Sequence, residues 1–335
     1  MRFDDVWITG TGGVLGDLLP VRQAVADGRY AAADAAEAGM TSVSVSSEPP
    51  PRMAVRAGRL ALGEAKPGLH LHGAAGFQGI DLWSAPCWIA NQLMPGPLPG
   101  LSLQVNALCN SGLAVLELAA TTLTARPDVG EVLVTVADWF PESVVDRWNL
   151  DSGVLLGDGA AAAVLGRGGG DLRLLSCASW SDPSLEGLQR GDEPFHASST
   201  AALKPLVLRR LAREFYTASE RSPASVVAAH ITGVRTVVAQ ALEDADTTLD
   251  EVRWAVPPFV GRTSFRFGYA DPLGLDPART LLDLGLTTGH MGGADHLYAL
   301  DHLMRADLLA PGDKVALIGV GGGFTFSCVV LQAGR

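Results

Sequence analysis

Two segments of this chain repeat the same succession of features, and the repeat constrains the fold more strongly than any other pattern in the sequence. In the first segment, the apolar run 132–136 is followed later by a Gly-Asp-Gly turn at 157–159 and a second apolar run. In the second segment, the apolar run 315–320 leads directly into three glycines at 321–323 and another apolar run. Unbroken apolar runs are typical of strands that are buried on both faces of a sheet. The repeat therefore predicts a duplicated unit with buried central strands.

Predicted helices alternate with these strands, so the sequence favours an α/β protein built in layers. Residues 1–170 would form the first half and residues 171–335 the second half, joined by a crossover over the proline-bearing stretch 167–192. Composition and apolar spacing predict helices at 53–64, 114–124, 203–217, 225–243 and 295–309.

Composition and charge argue against several classes of function. The chain has 335 residues, 47% of them hydrophobic and 18% charged, which is typical of a globular protein with a large core. Its net charge of −11 argues against nucleic-acid binding, although a local basic patch could still dock an acidic carrier. Neither a secretory leader nor an uncharged run of membrane-spanning length is evident, and the four cysteines lack CxxC or zinc-site spacing. We therefore expect a cytoplasmic protein with free thiols and no metal or membrane segment.

The run Ala-Leu-Cys-Asn-Ser-Gly-Leu around Cys109 lies between a predicted strand at 101–105 and a predicted helix. A cysteine on a strand-to-helix turn is held out of the sheet and lies at the positive end of the helix dipole. Its own backbone N–H is free to bind an oxyanion. The alternative is a small buried core cysteine, which is a common fate of free cysteines. The window alone does not separate these interpretations.

Four motifs carry a resemblance to a known family. They are the Cys109 run, the run Leu-Leu-Gly-Asp-Gly-Ala-Ala-Ala-Ala-Val at 155–164, the run Gly-His-Met-Gly-Gly-Ala-Asp at 289–295, and the terminal Gly-Gly-Gly-Phe-Thr-Phe at 321–326. They follow one another in the order typical of the thiolase superfamily. Over nearly its whole length the chain resembles β-ketoacyl-acyl-carrier-protein synthase III. The resemblance implies a thiolase-like five-layered αβαβα duplication, and a homodimer.

The chain departs from the condensing enzymes of that family at two positions. Those enzymes carry a His in a Pro-His-Gln-Ala-Asn run and an Asn in a later Gly-Asn loop, besides the Cys. Here Pro258 stands where the His would fall, and His290 stands where the Asn would fall. Decarboxylation of a malonyl thioester needs hydrogen-bond donors for the enolate oxygen, and proline has neither a side-chain donor nor an N–H. The sequence therefore argues against carbon–carbon condensation.

The remaining residues suggest a different set of catalytic groups. Cys109, His290 and Asp295 would supply the nucleophile, the base and the orienting carboxylate of an acyl-transfer triad. The N–H groups of Cys109 and Gly323 would form the oxyanion hole. Two alternatives stay open: Asp295 as a carboxylate that merely complements a helix dipole, and His290 as a structural loop histidine.

The pattern is similar to that of synthase-III-like acyltransferases of secondary metabolism. The resemblance implies an acyl-carrier-protein or coenzyme A thioester as donor, and a hydroxyl, amine or thiol as acceptor, with no prosthetic group. A true condensing enzyme and a catalytically silent scaffold subunit remain as alternatives. Because carrier proteins are acidic, docking needs a basic patch. Arg262 and Arg266 are preferred to the cluster at 209–213, since this segment borders the pantetheine tunnel in the related synthases.

Three further patterns carry less weight. The glycines of 10–16 imitate a dinucleotide-binding loop, but no βαβ unit with an acidic ribose ligand follows at the usual distance. His70 and His72 alternate on one strand and could form half of a metal site, but no third ligand is evident, so a core strand is preferred. Asp158 is interpreted as a turn residue.

Overall fold

The computed structural model describes residues 1–195 and 207–334. The strands are β1 (Trp7–Leu15), β2 (Asp17–Pro20), β3 (Ser42–Val45), β4 (Leu69–Gly73), β5 (Ser102–Val105), β6 (Val132–Asp138), β7 (Gly159–Gly166), β8 (Leu172–Ser181), β9 (Val252–Val256), β10 (Lys314–Gly321) and β11 (Thr325–Ala333). The α-helices are α1 (Val21–Ala26), α2 (Ala32–Ala38), α3 (Pro50–Leu62), α4 (Ala85–Leu93), α5 (Ser111–Ala125), α6 (Gly187–Arg190), α7 (Leu208–Ala218), α8 (Pro223–Asp244), α9 (Arg262–Phe265), α10 (Asp271–Leu273), α11 (Leu282–Thr288) and α12 (Asp295–Arg305).

The main sheet repeats one pairing pattern in its two halves. Its strand order is β5-β4-β6-β7-β1-β8-β11-β10-β9. In the first half, β4 is parallel to β6, which is antiparallel to β7, which is antiparallel to β1. In the second half, β9, β10, β11 and β8 repeat these relations in the same order. The halves meet where Trp7 and Ile8 of β1 pair with Arg173 and Leu172 of β8.

Helices cover both halves of the sheet and fill the space between them. One apolar cluster joins α5 and α12 to strands of both halves, whereas α3 and α8 lie in separate clusters on the outer faces. In β7, Ala162 and Val164 belong to the cluster with α3, and Ala161 and Ala163 belong to the cluster with α5 and α12. Because strand side chains alternate between faces, an unbroken apolar strand is what two covered faces require. The layers are therefore α-β-α-β-α, as expected.

The glycines of β1 serve helix packing. A Cβ on Gly10 would lie 2.2 Å from the carbonyl oxygen of Ala61 in α3, and one on Gly12 would lie 2.2 Å from that of Ala57. A Cβ on Gly13, on the other face, would lie 2.7 Å from the ring of Tyr298 in α12. These contacts explain the glycine run without a nucleotide.

Each predicted helix overlaps an observed one, namely α3, α5, α7, α8 and α12; residues 203–206 of the third prediction lie outside the described residues. The predicted crossover at 167–192 is wrong, because this stretch contains β8, the first strand of the second half. Two helices have the length and apolar composition of a membrane span, at Leu108–Ala125 and at Pro223–Asp244. The first belongs to the central layer, and the second packs Val234 and Val237 into the apolar cluster that includes β11.

Candidate active site

Cys109 lies in a sharp turn between β5 and α5. The residues Leu108–Asn110 form one 3₁₀ turn that continues directly into α5. Leu108 has a φ of +49°, in the left-handed region that leucine rarely adopts, so the chain is strained at the residue before the cysteine. The Ser111 hydroxyl accepts a hydrogen bond from Ala107 N at 2.9 Å and donates one to Ala74 O at 3.2 Å. These bonds hold Cys109 at the positive end of the α5 dipole.

The four cysteines differ in accessibility. Cys177 and Cys328 are buried, Cys87 is exposed and Cys109 is intermediate. Burial raises the pKa of Cys328 to about 12, and burial together with the nearby Glu117 raises the pKa of Cys177. Neither buried thiol is therefore suited to act as a nucleophile.

His290 is fixed by its backbone in the loop between α11 and α12. Its N–H donates to Leu155 O at 2.8 Å, and its carbonyl accepts from Gly157 N at 2.9 Å. Gly289, just before it, has a φ of +76°, and a Cβ there would lie 3.1 Å from Leu155 O. This position therefore requires glycine, and the bent backbone carries the imidazole into the interior.

Asp295 orients the imidazole. Its Oδ2 accepts hydrogen bonds from His290 Nδ1 at 2.6 Å and from Phe259 N at 2.8 Å, while its Oδ1 accepts one from Met291 N at 2.7 Å. The carboxylate is buried. Because Nδ1 is occupied by Asp295, the free ring nitrogen of His290 is Nε2. Asp295 therefore has a specific partner besides the α12 dipole.

A close backbone contact brings the cysteine turn and the histidine loop together. A Cβ on Gly112 would lie only 2.2 Å from Gly293 O, so the start of α5 can approach this loop only with glycine at that position. The Cys109 thiol then lies close enough to the His290 ring to raise the pKa of that ring. The structure thus brings the three predicted triad residues together, while their catalytic roles stay predictions.

The charge state of His290 follows from these neighbours. Burial alone would lower the pKa of His290. The Asp295 carboxylate and Cys109, through charge and hydrogen bonding, outweigh burial and hold this pKa well above its usual range. The protonated imidazolium is therefore the form of His290 that this arrangement favours at neutral pH.

Pro258 is buried beside the site in the segment after β9, and Val260 N donates to its carbonyl at 2.9 Å. The next residue, Phe259, contributes its backbone N–H to Asp295. At this place the chain therefore supports the carboxylate through its backbone and offers no side-chain donor to a substrate.

Gly323 lies in the turn between β10 and β11 with a φ of +88°, which favours glycine. No protein atom lies within 4 Å of the position that a Cβ on Gly323 would take. Two residues earlier, a Cβ on Gly321 would lie 2.0 Å from Ala107 O, so Gly321 is the glycine that lets this turn approach the cysteine turn. The role of the Gly323 N–H as an oxyanion donor stays a prediction.

Asp138 at the end of β6 is a residue that sequence reasoning missed. It is buried, and its carboxylate accepts hydrogen bonds from Ala75 N at 2.7 Å, Gly76 N at 3.0 Å and Gly293 N at 3.1 Å. Burial raises the pKa of Asp138 to about 6, against the lowering effect of these three bonds and of His290. The carboxylate ties the histidine loop to the turn after β4. An acidic residue that ends an apolar strand was the available signal.

A cleft of about 490 Å³ is lined by residues of α7, α8 and α9. Its walls include His230 of α8, Phe324 of the glycine turn, Thr263 of α9 and Phe267. The predicted docking residues are both exposed, and each already has an acidic neighbour. Arg262 lies 3.7 Å from Asp283, and Arg266 lies 3.2 Å from Asp271 and stacks over Phe267.

The other polar residues singled out in the sequence have structural partners. His70 Nε2 and His72 Nδ1 both contact Thr135 Oγ1, at 2.9 and 2.8 Å, and burial lowers their pKa values to about 3 and about 4. Asp158 forms a buried ion pair with Arg147 at 3.1 Å. Within residues 1–195 and 207–334, no cluster of three or more potential metal-binding side chains is found.

Family profiles match two parts of the chain. The profile described as 3-oxoacyl-[acyl-carrier-protein] synthase III matches residues 103–183, and the profile of its C-terminal region matches residues 242–333. Among curated proteins, β-ketoacyl-[acyl-carrier-protein] synthase III 5 of Streptomyces coelicolor is 30% identical over 281 residues, covering 77% of this chain and 78% of the relative. The 2-heptyl-4(1H)-quinolone synthase subunit PqsC of Pseudomonas aeruginosa is 28% identical over 240 residues, covering 70% of this chain and 64% of the relative.

Solved structures agree with these matches. ChlB3, described as an acyltransferase, superposes with a TM-score of 0.91 at 30% identity, covering 99% of this chain and 98% of the other. The synthase FabH of Pseudomonas aeruginosa superposes with a TM-score of 0.79 at 20% identity over 99% of both chains, a likeness of fold alone. The fold defines a thiolase-superfamily protein. More particularly, the chain belongs to the β-ketoacyl-acyl-carrier-protein synthase III family, whose members transfer acyl groups or condense them.

Proposed function

We propose that this protein is an acyltransferase that works through an acyl-Cys109 intermediate. Its donor is an acyl-carrier-protein or coenzyme A thioester, and its acceptor is a hydroxyl, amine or thiol in the biosynthesis of a secondary metabolite. The observation that carries the proposal is the His290–Asp295 pair at 2.6 Å, combined with the absence of a side-chain donor at Pro258. The likeness to ChlB3, itself described as an acyltransferase, supports it.

The reaction divides into two half-reactions. In the first, Cys109 Sγ attacks the thioester carbonyl, a new carbon–sulfur bond forms, and the donor thiol leaves with the proton held on His290 Nε2. In the second, Nε2 takes the proton of the acceptor as the acceptor attacks the acyl carbon. The bond between the acyl carbon and Cys109 Sγ then breaks. Cys109 leaves as a thiolate beside the protonated His290, which is the arrangement that begins the next cycle. Asp295 keeps Nδ1 protonated throughout, and backbone N–H groups of Cys109 and Gly323 would bind the oxyanion.

We also propose a location, an oligomeric state and a route for the donor. We expect a cytoplasmic homodimer that receives its donor through the cleft bordered by Phe324 and Thr263. No cofactor is needed, because both half-reactions use only nucleophilic and acid–base groups of the chain.

Family membership makes a decarboxylating condensing enzyme the rival proposal. Incubation with a malonyl thioester separates the two, since condensation releases carbon dioxide and acyl transfer does not. We expect no release. We also expect that Pro258→His alone does not create condensing activity, because the asparagine position is changed as well.

Covalent labelling tests the nucleophile. Incubation with a panel of acyl thioesters should add one acyl mass to the protein, and Cys109→Ala should abolish the adduct, as measured by intact-mass spectrometry. Cys87→Ala is the matched control, because Cys87 is the exposed cysteine, and it should keep the adduct. Label on Cys87, Cys177 or Cys328 would contradict the assignment of Cys109 as the nucleophile. Absence of label with every thioester would favour a silent scaffold subunit.

A further inference from the structure

The cleft of about 490 Å³ has polar side chains in its walls that the two half-reactions do not use. Its volume lies within the usual range of a small-molecule site. The rings of Tyr216, Phe267 and Phe324 belong to its walls. Phe267 and Val227, which also line it, are 58% and 54% exposed, so apolar surface is open to a ligand there.

Gln189 connects this cleft to the cysteine turn. Gly321, at the end of β10, packs against the carbonyl of Ala107 in that turn. A Cβ on the next residue, Gly322, would lie 1.7 Å from Gln189 Oε1, so the amide of Gln189 rests against the glycine turn. Ala107 and Gln189 therefore contact consecutive residues, whose Cα atoms are about 3.8 Å apart. Because Gln189 lines the cleft, this end of the cleft adjoins the turn that holds Cys109.

The side-chain amide of Gln189 is free to bind a ligand. Within residues 1–195 and 207–334 it makes no hydrogen bond, and neither of its polar atoms is sealed from solvent. An amide offers an acceptor oxygen and two N–H donors, so it can pair with a hydroxyl group in either direction.

His230 of α8 presents an acceptor to the same cleft. Its Nε2 contacts Gly268 O at 3.3 Å, and because a carbonyl only accepts, Nε2 carries the proton. Burial lowers the pKa of His230, so the ring is uncharged at neutral pH and Nδ1 keeps its lone pair. Nδ1 has no partner among the described residues and is not sealed from solvent. Edge-on contacts with the rings of Tyr269 and Phe326 hold the imidazole in place.

The other polar groups of the cleft offer few donors and no positive charge. Ser264 Oγ donates to Ser152 O at 3.0 Å, and Thr263 Oγ1 donates to Glu37 O at 3.2 Å, so each hydroxyl has used its single proton. No Lys or Arg is among the described residues that line the cleft, and Asp151 is the one acidic residue among them. A carboxylate or phosphate would find no cation there, whereas a ligand that brings hydroxyl donors would find acceptors.

We propose that this cleft binds the acceptor of the acyl group, and that the acceptor is an uncharged polyol, such as a sugar ring on an apolar body. Gln189 and His230 bind its hydroxyls and are specificity-determining residues, while the apolar walls cover its carbon skeleton. The inference rests on the proposed acyl-enzyme and adds the chemical class of the acceptor. Because the donor thiol leaves before the acceptor attacks, one cleft can admit the two in turn.

The chemistry of transfer to such an acceptor balances with groups already assigned. A hydroxyl oxygen of the polyol forms an ester bond to the acyl carbon, and the bond from that carbon to Cys109 Sγ breaks. The hydroxyl proton passes to His290 Nε2. His230 takes no proton in this step.

The test follows discharge of the acyl-enzyme by intact mass. Cys109 is first acylated with a short N-acetylcysteamine thioester, and the excess thioester is removed. Three kinds of acceptor are then compared: neutral phenyl glycosides, phenyl β-D-glucuronide, and free N-acetylcysteamine. The glucuronide differs from the phenyl β-D-glucoside only by its carboxylate, so this pair reports on charge. Loss of the adduct in buffer alone measures hydrolysis.

Four variants separate binding from fold. His230→Phe removes the acceptor and keeps a ring, and His230→Asn returns an acceptor oxygen close to the position of Nδ1. Gln189→Leu removes the amide of the cleft. Gln240→Leu is its matched control, because Gln240 is exposed on α8 and does not line the cleft.

We expect neutral glycosides to discharge the acyl-enzyme faster than hydrolysis does, and the glucuronide to do so at least tenfold more slowly than the glucoside. His230→Phe and Gln189→Leu should each raise the glycoside concentration for half-maximal discharge about tenfold, and His230→Asn should recover most of this loss. Gln240→Leu should match the wild type. Acylation by the short thioester and discharge by N-acetylcysteamine should stay unchanged in all four variants.

Discharge by every glycoside at the rate of hydrolysis would overturn the inference, and with fast discharge by N-acetylcysteamine it would indicate a thiol acceptor. Equal discharge by the glucoside and the glucuronide would overturn it too. So would an equal loss of acylation and discharge in His230→Phe and Gln189→Leu, because the two side chains would then only support the fold. Failure of every thioester to acylate wild-type Cys109 would instead remove the proposed function itself.

Discussion

At the scale of single residues, the chemistry depends on which side chains stand at positions 258 and 290. Proline at 258 leaves the segment after β9 without a side-chain donor, and its neighbour Phe259 gives its N–H to Asp295 instead. Histidine at 290 gains a carboxylate partner five residues later in the chain. In the proposed mechanism, this pair would move protons on and off sulfur and an acceptor atom, which acyl transfer requires.

The pair His290–Asp295 can be tested by its pH dependence. His290→Ala should reduce acyl transfer by ~10²–10⁴-fold, the usual contribution of a general base. Asp295→Asn should cost less, because the base remains. The pKa of His290 is held high by Asp295, so Asp295→Asn should lower it. The imidazolium would then be lost at lower pH, so Cys109 alkylation in the variant should differ most from the wild type above about pH 6.5, the ordinary histidine pKa. Equal transfer rates in wild type and His290→Ala would refute the mechanism.

The sequence predicted some of this site and could not predict the rest. Cys109, His290 and Asp295 stand in motifs whose order is typical of the family, and the turn glycines beside them signal bent backbone. Asp138 gave a weaker signal, since an acidic residue at the end of an apolar strand has no motif around it. The importance of Asp138 arises because two turns, distant in sequence, converge on one carboxylate.

At the scale of elements, the site is assembled by the approach of α5 to the loop before α12. Gly112 and Gly293 form the contact, and the Asp138 carboxylate holds the loop by accepting a hydrogen bond from Gly293 N.

Sequence patterns located most of the helices and strands that meet here. They failed for β8, because this stretch bears Pro183 and was therefore interpreted as a crossover. Pairing with β11 makes this stretch a strand, and pairing between distant segments is not visible in local sequence.

Gly112→Ala tests this assembly. The new Cβ would have to displace Gly293 O, since the two would otherwise lie 2.2 Å apart, so α5 and the histidine loop should separate. We expect acylation of Cys109 to fall by about tenfold or more, because small displacements of reacting groups are costly. Gly130→Ala is the control, because nothing lies within 4 Å of its Cβ position. Acylation rates are measured beside urea unfolding, and a loss of stability with unchanged acylation would contradict the argument.

At the scale of the whole molecule, the duplication divides the site between its halves. Cys109 precedes α5 of the first half and His290 precedes α12 of the second, and both helices lie in the central layer. Neither half therefore contains the candidate triad alone. The resemblance predicted this layered architecture.

The net charge of −11 sets a further condition for carrier binding, since an acidic carrier protein would be repelled at long range unless a local basic patch attracts it.

Arg262 and Arg266 are the predicted patch, and charge reversal tests it. Arg262→Glu or Arg266→Glu should raise the apparent KM for a carrier-bound donor about three- to tenfold at low salt, and less at high salt, because exposed charges are screened. A short pantetheine thioester should be affected little. The acidic neighbours Asp283 and Asp271 reduce the positive field of each arginine. The double variant should therefore raise the apparent KM for the carrier-bound donor more than either single variant does. Arg126→Glu is the control, since Arg126 follows the far end of α5 and pairs with Asp128 at the surface. If both donors suffer equally, or neither does, the carrier docks elsewhere and these arginines are ordinary solvated residues.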